Sequence, residues 1–132
     1  MKVISLLQPW ATLVVMGIKQ IETRNWATDY RGPLLIHASK GKSGKVIAQN
    51  TSIASHIPDF TALPFGMIIG EVKLVDVLPT SQLQMPAGLL AGLTLEEQAF
   101  GAYAGKWCWM LENAVMLDEF IPATGRLGLW EI

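Results

Sequence analysis

The apolar and polar positions of this chain fall into short runs with different periods. Residues 3–7 (V-I-S-L-L) are apolar with β-branched members, which predicts a strand. Pro9 suits the first turn of a helix, Gly17 suits its end, and Trp10, Leu13 and Val14 recur at helical spacing between them. A short helix is therefore expected over 9–16. Residues 18–26 read as extended, with Glu22 and Arg24 on one face and Ile21 and Thr23 on the other. Lys19 falls with Ile21 unless the chain is still turning after Gly17, in which case Lys19 and Glu22 converge.

After a turn at 29–33, residues 34–38 form an apolar run that predicts a buried strand. Ser43 is placed to cap a helix reaching about residue 56, with Val46, Ile47, Ile53, Ala54 and Ile57 inward. Residues 66–78 predict a long strand. Beyond Gly70, Val72, Leu74 and Asp76 take one side and Glu71, Lys73, Val75 and Val77 the other. Thr94 and Glu97 have the spacing of a capping box, which opens a helix to about residue 103. Strands are expected at 106–113, 114–121 and 126–132. Most of the links are too short for parallel crossovers, so the sheet should be mainly antiparallel. The simplest architecture is a single α+β domain over 1–132: a small closed or partly closed β-barrel with two or three short helices packed on it.

Composition narrows the class. Hydrophobic residues are 51% and charged residues 16% of the chain, enough apolar surface to offset the ordering entropy and argue against disorder. No apolar run approaches the ~20 residues of a membrane span. The N-terminal apolar run is cut off by Gln8-Pro9 without a small-residue cleavage site, so neither a membrane role nor a signal peptide is expected. The single Cys108 excludes an internal disulfide and suits a reducing cytoplasm.

Charge is unevenly placed. Residues 1–45 hold seven basic side chains against two acidic ones, whereas residues 46–132 hold three against nine. A +5 segment within a chain of net charge −1 is a candidate footprint for an anionic ligand, or an ordinary solvated surface. Gly41-Lys42-Ser43 resembles the end of a phosphate loop, but Ile36 stands where that loop needs glycine. His37, His56 and Cys108 are too scattered to predict a metal site, and no cofactor is expected. His37, inside an apolar strand, reads as a satisfied core histidine, and Cys108, between Trp107 and Trp109, reads as buried and inert. Trp10, Trp107 and Trp130 read as core, while Trp26 and Trp109 are the better candidates for a wall that stacks a nucleobase.

The most informative group is Lys19, Glu22 and Arg24. Such charges are costly to bury and serve either as mutual ion pairs or as a polar ligand site. Lys19 could meet phosphate or act as base or nucleophile, Glu22 could shuttle a proton, and Arg24 could clamp an anion.

Four blocks, Q-P-W-A…G-I-K-Q-I-E-T-R-N-W, Y-R-G-P-L-L-I-H-A-S-K, F-G-M-I-I-G-E-V-K-L-V-D-V and G-L-W-E-I, span nearly the whole chain. Together they resemble the activating-signal-cointegrator homology (ASCH) domain, whose most specific motif, G-x-K-x-x-E-x-R, matches Gly17 to Arg24. The resemblance implies a PUA-like β-barrel and a role in RNA biology, with Lys19, Glu22 and Arg24 in a cleft beside the barrel. Some small members resemble amidohydrolases acting on N4-acetylcytidine. They carry a lysine where Lys19 stands but a threonine where Glu22 stands, and they use a later glutamate, for which Glu71 and Glu97 are the two candidates here. Other members look like ribonucleases, and others like binding modules.

Three expectations follow. The first is binding of RNA or a modified nucleoside or nucleotide, with Lys19, Arg24, Lys40, Lys42 and Lys45 meeting phosphate and Trp26 or Trp109 stacking. The second is a hydrolase using Lys19 and Glu22. The third is a regulatory protein-interaction module. Oligomeric state is left open.

Overall fold

A computed structural model describes residues 1–83 and 106–132 of the chain. The helix expected at 94–103, and Glu97 with it, lie outside these residues. The described elements are β1 (Lys2–Leu6), α1 (Trp10–Val15), β2 (Ile21–Arg24), β3 (Gly32–Ala38), α2 (Thr51–Ala54), β4 (Met67–Pro79), β5 (Trp107–Pro122) and β6 (Leu129–Glu131), with short 3-10 turns between some of them. The six strands form one sheet in the order β2-β5-β4-β3-β1-β6. Every neighbouring pair is antiparallel except β1 and β3, which run parallel because α1 and β2 intervene between them. The sheet curls into a half-barrel.

Alternation divides the core between the two faces of the sheet. Ile4, Leu6, Leu34, Ile36, Val72, Leu74, Trp109 and Leu111 pack on one side against Ala11, Val14 and Val15 of α1. Val3, Ile68 and Trp130 form a smaller cluster elsewhere. A helix of six residues cannot sustain itself in water. α1 persists because five of its six side chains are buried, each contributing roughly 1–3 kcal/mol in the case of valine or leucine. Its end is a Schellman motif: Gly17, at φ +78°, donates its N–H to the Val14 carbonyl, and Ile18 donates to Leu13.

Three local expectations are corrected. The helix predicted from Ser43 to about residue 56 is broken into 3-10 turns at Ser43–Lys45 and Ile47–Gln49, followed by α2. Asn50 leaves helical geometry (φ −58°, ψ 132°) and accepts the Ser52 N–H through its side chain, so Asn50, not Ser43, is the cap. The two strands expected at 106–113 and 114–121 are one continuous β5. Asn113 adopts φ 54°, and an extra β5 residue is accommodated between the pairs Lys73–Glu112 and Glu71–Val115, so the strand bends instead of ending. In β4 an irregularity between Leu74 and Asp76 reverses the phase. Val77 joins the core, and Asp76 faces solvent, 3.5 Å from Arg31.

No helix among the described residues is long and apolar enough to cross a membrane.

Candidate functional site

Curling brings the two ends of the sheet order together. β6 pairs with β1 only over Lys2 to Ile4, so the Ser5 carbonyl lies just past the end of that pairing. Arg24, the last residue of β2, donates from Nη2 to this carbonyl at 3.0 Å. A cavity of about 720 Å³ opens at this seam. Ile4 and Ser5 of β1, with His37 at the end of β3, line it, and Arg24 and Trp26 form another part of the wall. Ser39 and Lys40 continue from β3, and the segment 124–128 completes the lining. Three cationic side chains therefore share the cavity, Arg24, Lys40 and Arg126, and no carboxylate is among the described residues that line it. Cations gathered without counter-charge in a concave, partly apolar site favour an anion.

Trp26 is held edge-on against Trp109, ring centres 4.8 Å apart, and its carbonyl accepts the Trp109 indole N–H at 3.3 Å. Trp109 is 0% exposed. Of the two tryptophans expected as stacking surfaces, only Trp26 lines the cavity. Trp109 is its buried support and has no free face to offer.

Among the lysines, Lys40 alone lines the cavity. Its loop is tightly seated: a Cβ on Gly44 would lie 1.8 Å from the Gln8 carbonyl oxygen. Lys42 points over the Phe65 ring, 5.1 Å from its centre, and Lys45 is exposed. Neither is among the cavity's lining residues.

Lys19 lies apart from this cavity. The Schellman turn carries the chain inward, so that Lys19 is 8% exposed, its Nζ donating to the Ile21 carbonyl and lying 5.7 Å from the Trp10 ring centre. It borders a separate depression of about 30 Å³, beside Gln20 and Glu112. Glu22 shares a strand face with Arg24, as alternation requires, yet no ion pair joins them among the described residues. Glu22 Oε2 and Arg24 Nε are buried without hydrogen-bond partners. The G-x-K-x-x-E-x-R segment thus sends its arginine to the large cavity and its lysine elsewhere. Glu71 lies in β4, opposite Leu35 and Val115.

On the far side of β2, Thr23 is in register with Cys108. The Cys108 thiol is buried, and loss of solvent pushes its pKa up, with smaller opposing effects from the Thr80 hydroxyl (3.4 Å) and the Lys19 charge. That environment disfavours the reactive thiolate, and Cys108 is buried as expected. His37 is 1% exposed and satisfied at both nitrogens, also as expected. Among the described residues, no three His, Cys, Asp or Glu side chains are grouped to hold a metal ion.

Sequence reasoning missed Ser5, Arg126 and the cavity-facing position of His37. A signal existed for two of them: Ser5 and His37 are single polar residues interrupting otherwise apolar strands. Arg126 carried none, because the 124–128 segment meets β1 only through the closed fold.

The geometry can be set beside known proteins. The family model described as ASCH domain matches residues 4–119. The chain is similar to activating signal cointegrator 1 of Mus musculus (36% identical) and of Homo sapiens (34%), over 87 residues in each case. That stretch is 61% of this chain but 15% of each relative, so it corresponds to a small part of those proteins. Among solved structures, an ASCH protein from Zymomonas mobilis matches with a TM-score of 0.54 at 18% identity, covering 92% of this chain and 72% of the other. A variant of that protein matches at 0.53 and 17%, covering 92% and 74%. These structural likenesses speak to the fold.

Proposed function

The chain belongs to the ASCH domain family, and from that premise we propose that it binds RNA, or a modified nucleoside or nucleotide bearing phosphate, in the cavity between Arg24 and Arg126. The observation that carries this reading is the lining: Arg24, Lys40 and Arg126 with no carboxylate among the described lining residues, beside the indole of Trp26. Phosphate would meet the cations, and a base would stack on Trp26. The half-barrel is compatible with the PUA-like fold that the sequence resemblance implies. A cytoplasmic location, where RNA is available, accords with the single reduced Cys108.

A hydrolase built on Lys19 and Glu22 has less support, since Lys19 borders a separate small depression and neither side chain lines the large cavity.

The reading is tested by anisotropy of a dye-labelled single-stranded RNA titrated with protein. Arg24→Ala, Lys40→Ala and Arg126→Ala should each weaken binding by about tenfold or more, the size expected for one charge-assisted contact. Lys19→Ala should change it little if the protein stays folded. Binding that survives all three cavity substitutions would refute the proposal.

A further inference from the structure

Ser5 and His37 meet in the wall of the cavity, and with the Ala123 carbonyl they form an arrangement that the binding role does not use. Ser5 and His37 are register partners on the parallel strands β1 and β3, so their side chains emerge on the same face. Ser5 Oγ lies 3.0 Å from His37 Nδ1, and His37 Nε2 lies 2.8 Å from the Ala123 carbonyl oxygen. The proton positions follow from the chemistry of the acceptors. A carbonyl oxygen can only accept, so Nε2 carries the hydrogen. In the neutral ring Nδ1 is then a lone pair, and the Ser5 hydroxyl must donate to it. Trp130 Nε1 donates to Ser5 Oγ at 3.2 Å, which leaves the second Oγ lone pair available. A nucleophile hydrogen-bonded to a base, with the base held in one tautomer by a third group, is the signature of an activated hydroxyl.

Two further features bear on access. Ser5 and His37 both line the cavity, so a ligand held there is beside the hydroxyl. Gly125 crosses the pair so closely that a Cβ would lie 2.8 Å from His37 Cε1 and 3.0 Å from Ser5 Oγ, so any larger residue would crowd the nucleophile. Arg24 is anchored on the Ser5 carbonyl at 3.0 Å, which sets a fixed positive charge next to the same residue.

We propose that Ser5 and His37 form a nucleophile–base pair that hydrolyses carboxylic esters carried on a phosphorylated group. Only the phosphate half of this statement rests on the anion-binding reading above. Ser5 Oγ bonds to the ester carbonyl carbon as its proton passes to His37 Nδ1. The tetrahedral adduct collapses by breaking the bond to the alcohol oxygen, which leaves with the proton from Nδ1. Water then adds to the acyl-Ser5 carbonyl, giving a proton to Nδ1. The bond to Ser5 Oγ breaks, and Oγ recovers that proton. The net reaction is ester plus water to acid plus alcohol. The cations hold the phosphate, while Ser5 and His37 act on the ester.

The test begins with a neutral fluorophosphonate dye, which reports an activated serine without needing a nucleotide. Peptide mass mapping should find the adduct on Ser5. Ser5→Ala should abolish it, and His37→Gln should slow it by about a hundredfold, the contribution of a general base. Circular dichroism checks that both variants are folded. Should either fail to fold, the unaltered protein still decides the matter: no adduct on Ser5 overturns the proposal. Turnover is then compared for O-acetyl adenosine with and without a 5′-phosphate. A kcat/KM about tenfold or more higher for the phosphorylated ester supports both halves. Ser5 labelling and turnover without that preference uphold the nucleophile and count against the anion-binding reading. RNA binding without Ser5 labelling does the reverse.

Discussion

Arg24 Nη2 stands 3.0 Å from the carbonyl oxygen of Ser5, and this contact joins β2 to β1 across the open seam of the half-barrel. It combines a structural and a functional duty: the hydrogen bond closes the sheet and fixes the guanidinium in the cavity wall. Arg24→Lys keeps the charge but loses the planar fork. The expected result is a loss of about 1–2 kcal/mol of stability in urea unfolding, from one charge-assisted bond, with RNA affinity weakened despite the retained charge. An unchanged midpoint would mean that the contact contributes nothing to closure.

The tryptophan pair separates support from function. Trp109→Ala should destabilise by about 3–5 kcal/mol, because it empties a fully buried site behind Trp26. Trp26→Ala should cost less stability and more ligand affinity, about 1–3 kcal/mol per stacked base. Thermal unfolding and anisotropy on both variants check the assignment, and a reversed order would contradict it.

Cys108 gives a pH prediction with a definite sign. Burial raises the thiol's pKa in the folded state above its unfolded value. The neutral thiol is thus favoured by folding, and its stabilising contribution is complete below the unfolded pKa of about 8.5 and declines as pH rises beyond it. Stability of the native chain should fall more steeply than that of Cys108→Ala as pH rises from about 7 to about 9.5. Parallel curves would show that the thiol is not the titrating group. Alkylation by iodoacetamide should require unfolding.

Much of the fold is legible in the residues, and the reasons are local. Val72 and Leu74 alternate with Glu71 and Lys73, and Gly17 follows an apolar helical face, so β4 and α1 declare themselves. The bend at Asn113 does not, because a bulge depends on which residues stand opposite it. Asn50 takes the cap from Ser43 for a similar reason: Gly44 is pressed against Gln8, which no local pattern reveals. The site is half legible. Arg24, Trp26 and Lys40 can be found from charge, aromatic surface and the motif. Lys19 cannot be placed, because the direction of its side chain is set by the turn after Gly17. Ser5 and His37 meet through the pairing of β1 with β3, and Arg126 joins them only in the closed fold, so that residues distant in sequence share one wall.

The most direct measurement is the salt dependence of RNA binding. Three phosphate contacts, by Arg24, Lys40 and Arg126, should give a slope of log K against log salt of about −2 for a single strand. Arg24→Gln should reduce that slope by about 0.7. An affinity that stays flat between about 50 and about 200 mM salt, or a slope unmoved by Arg24→Gln, would contradict the assignment of this cavity as a phosphate-binding site.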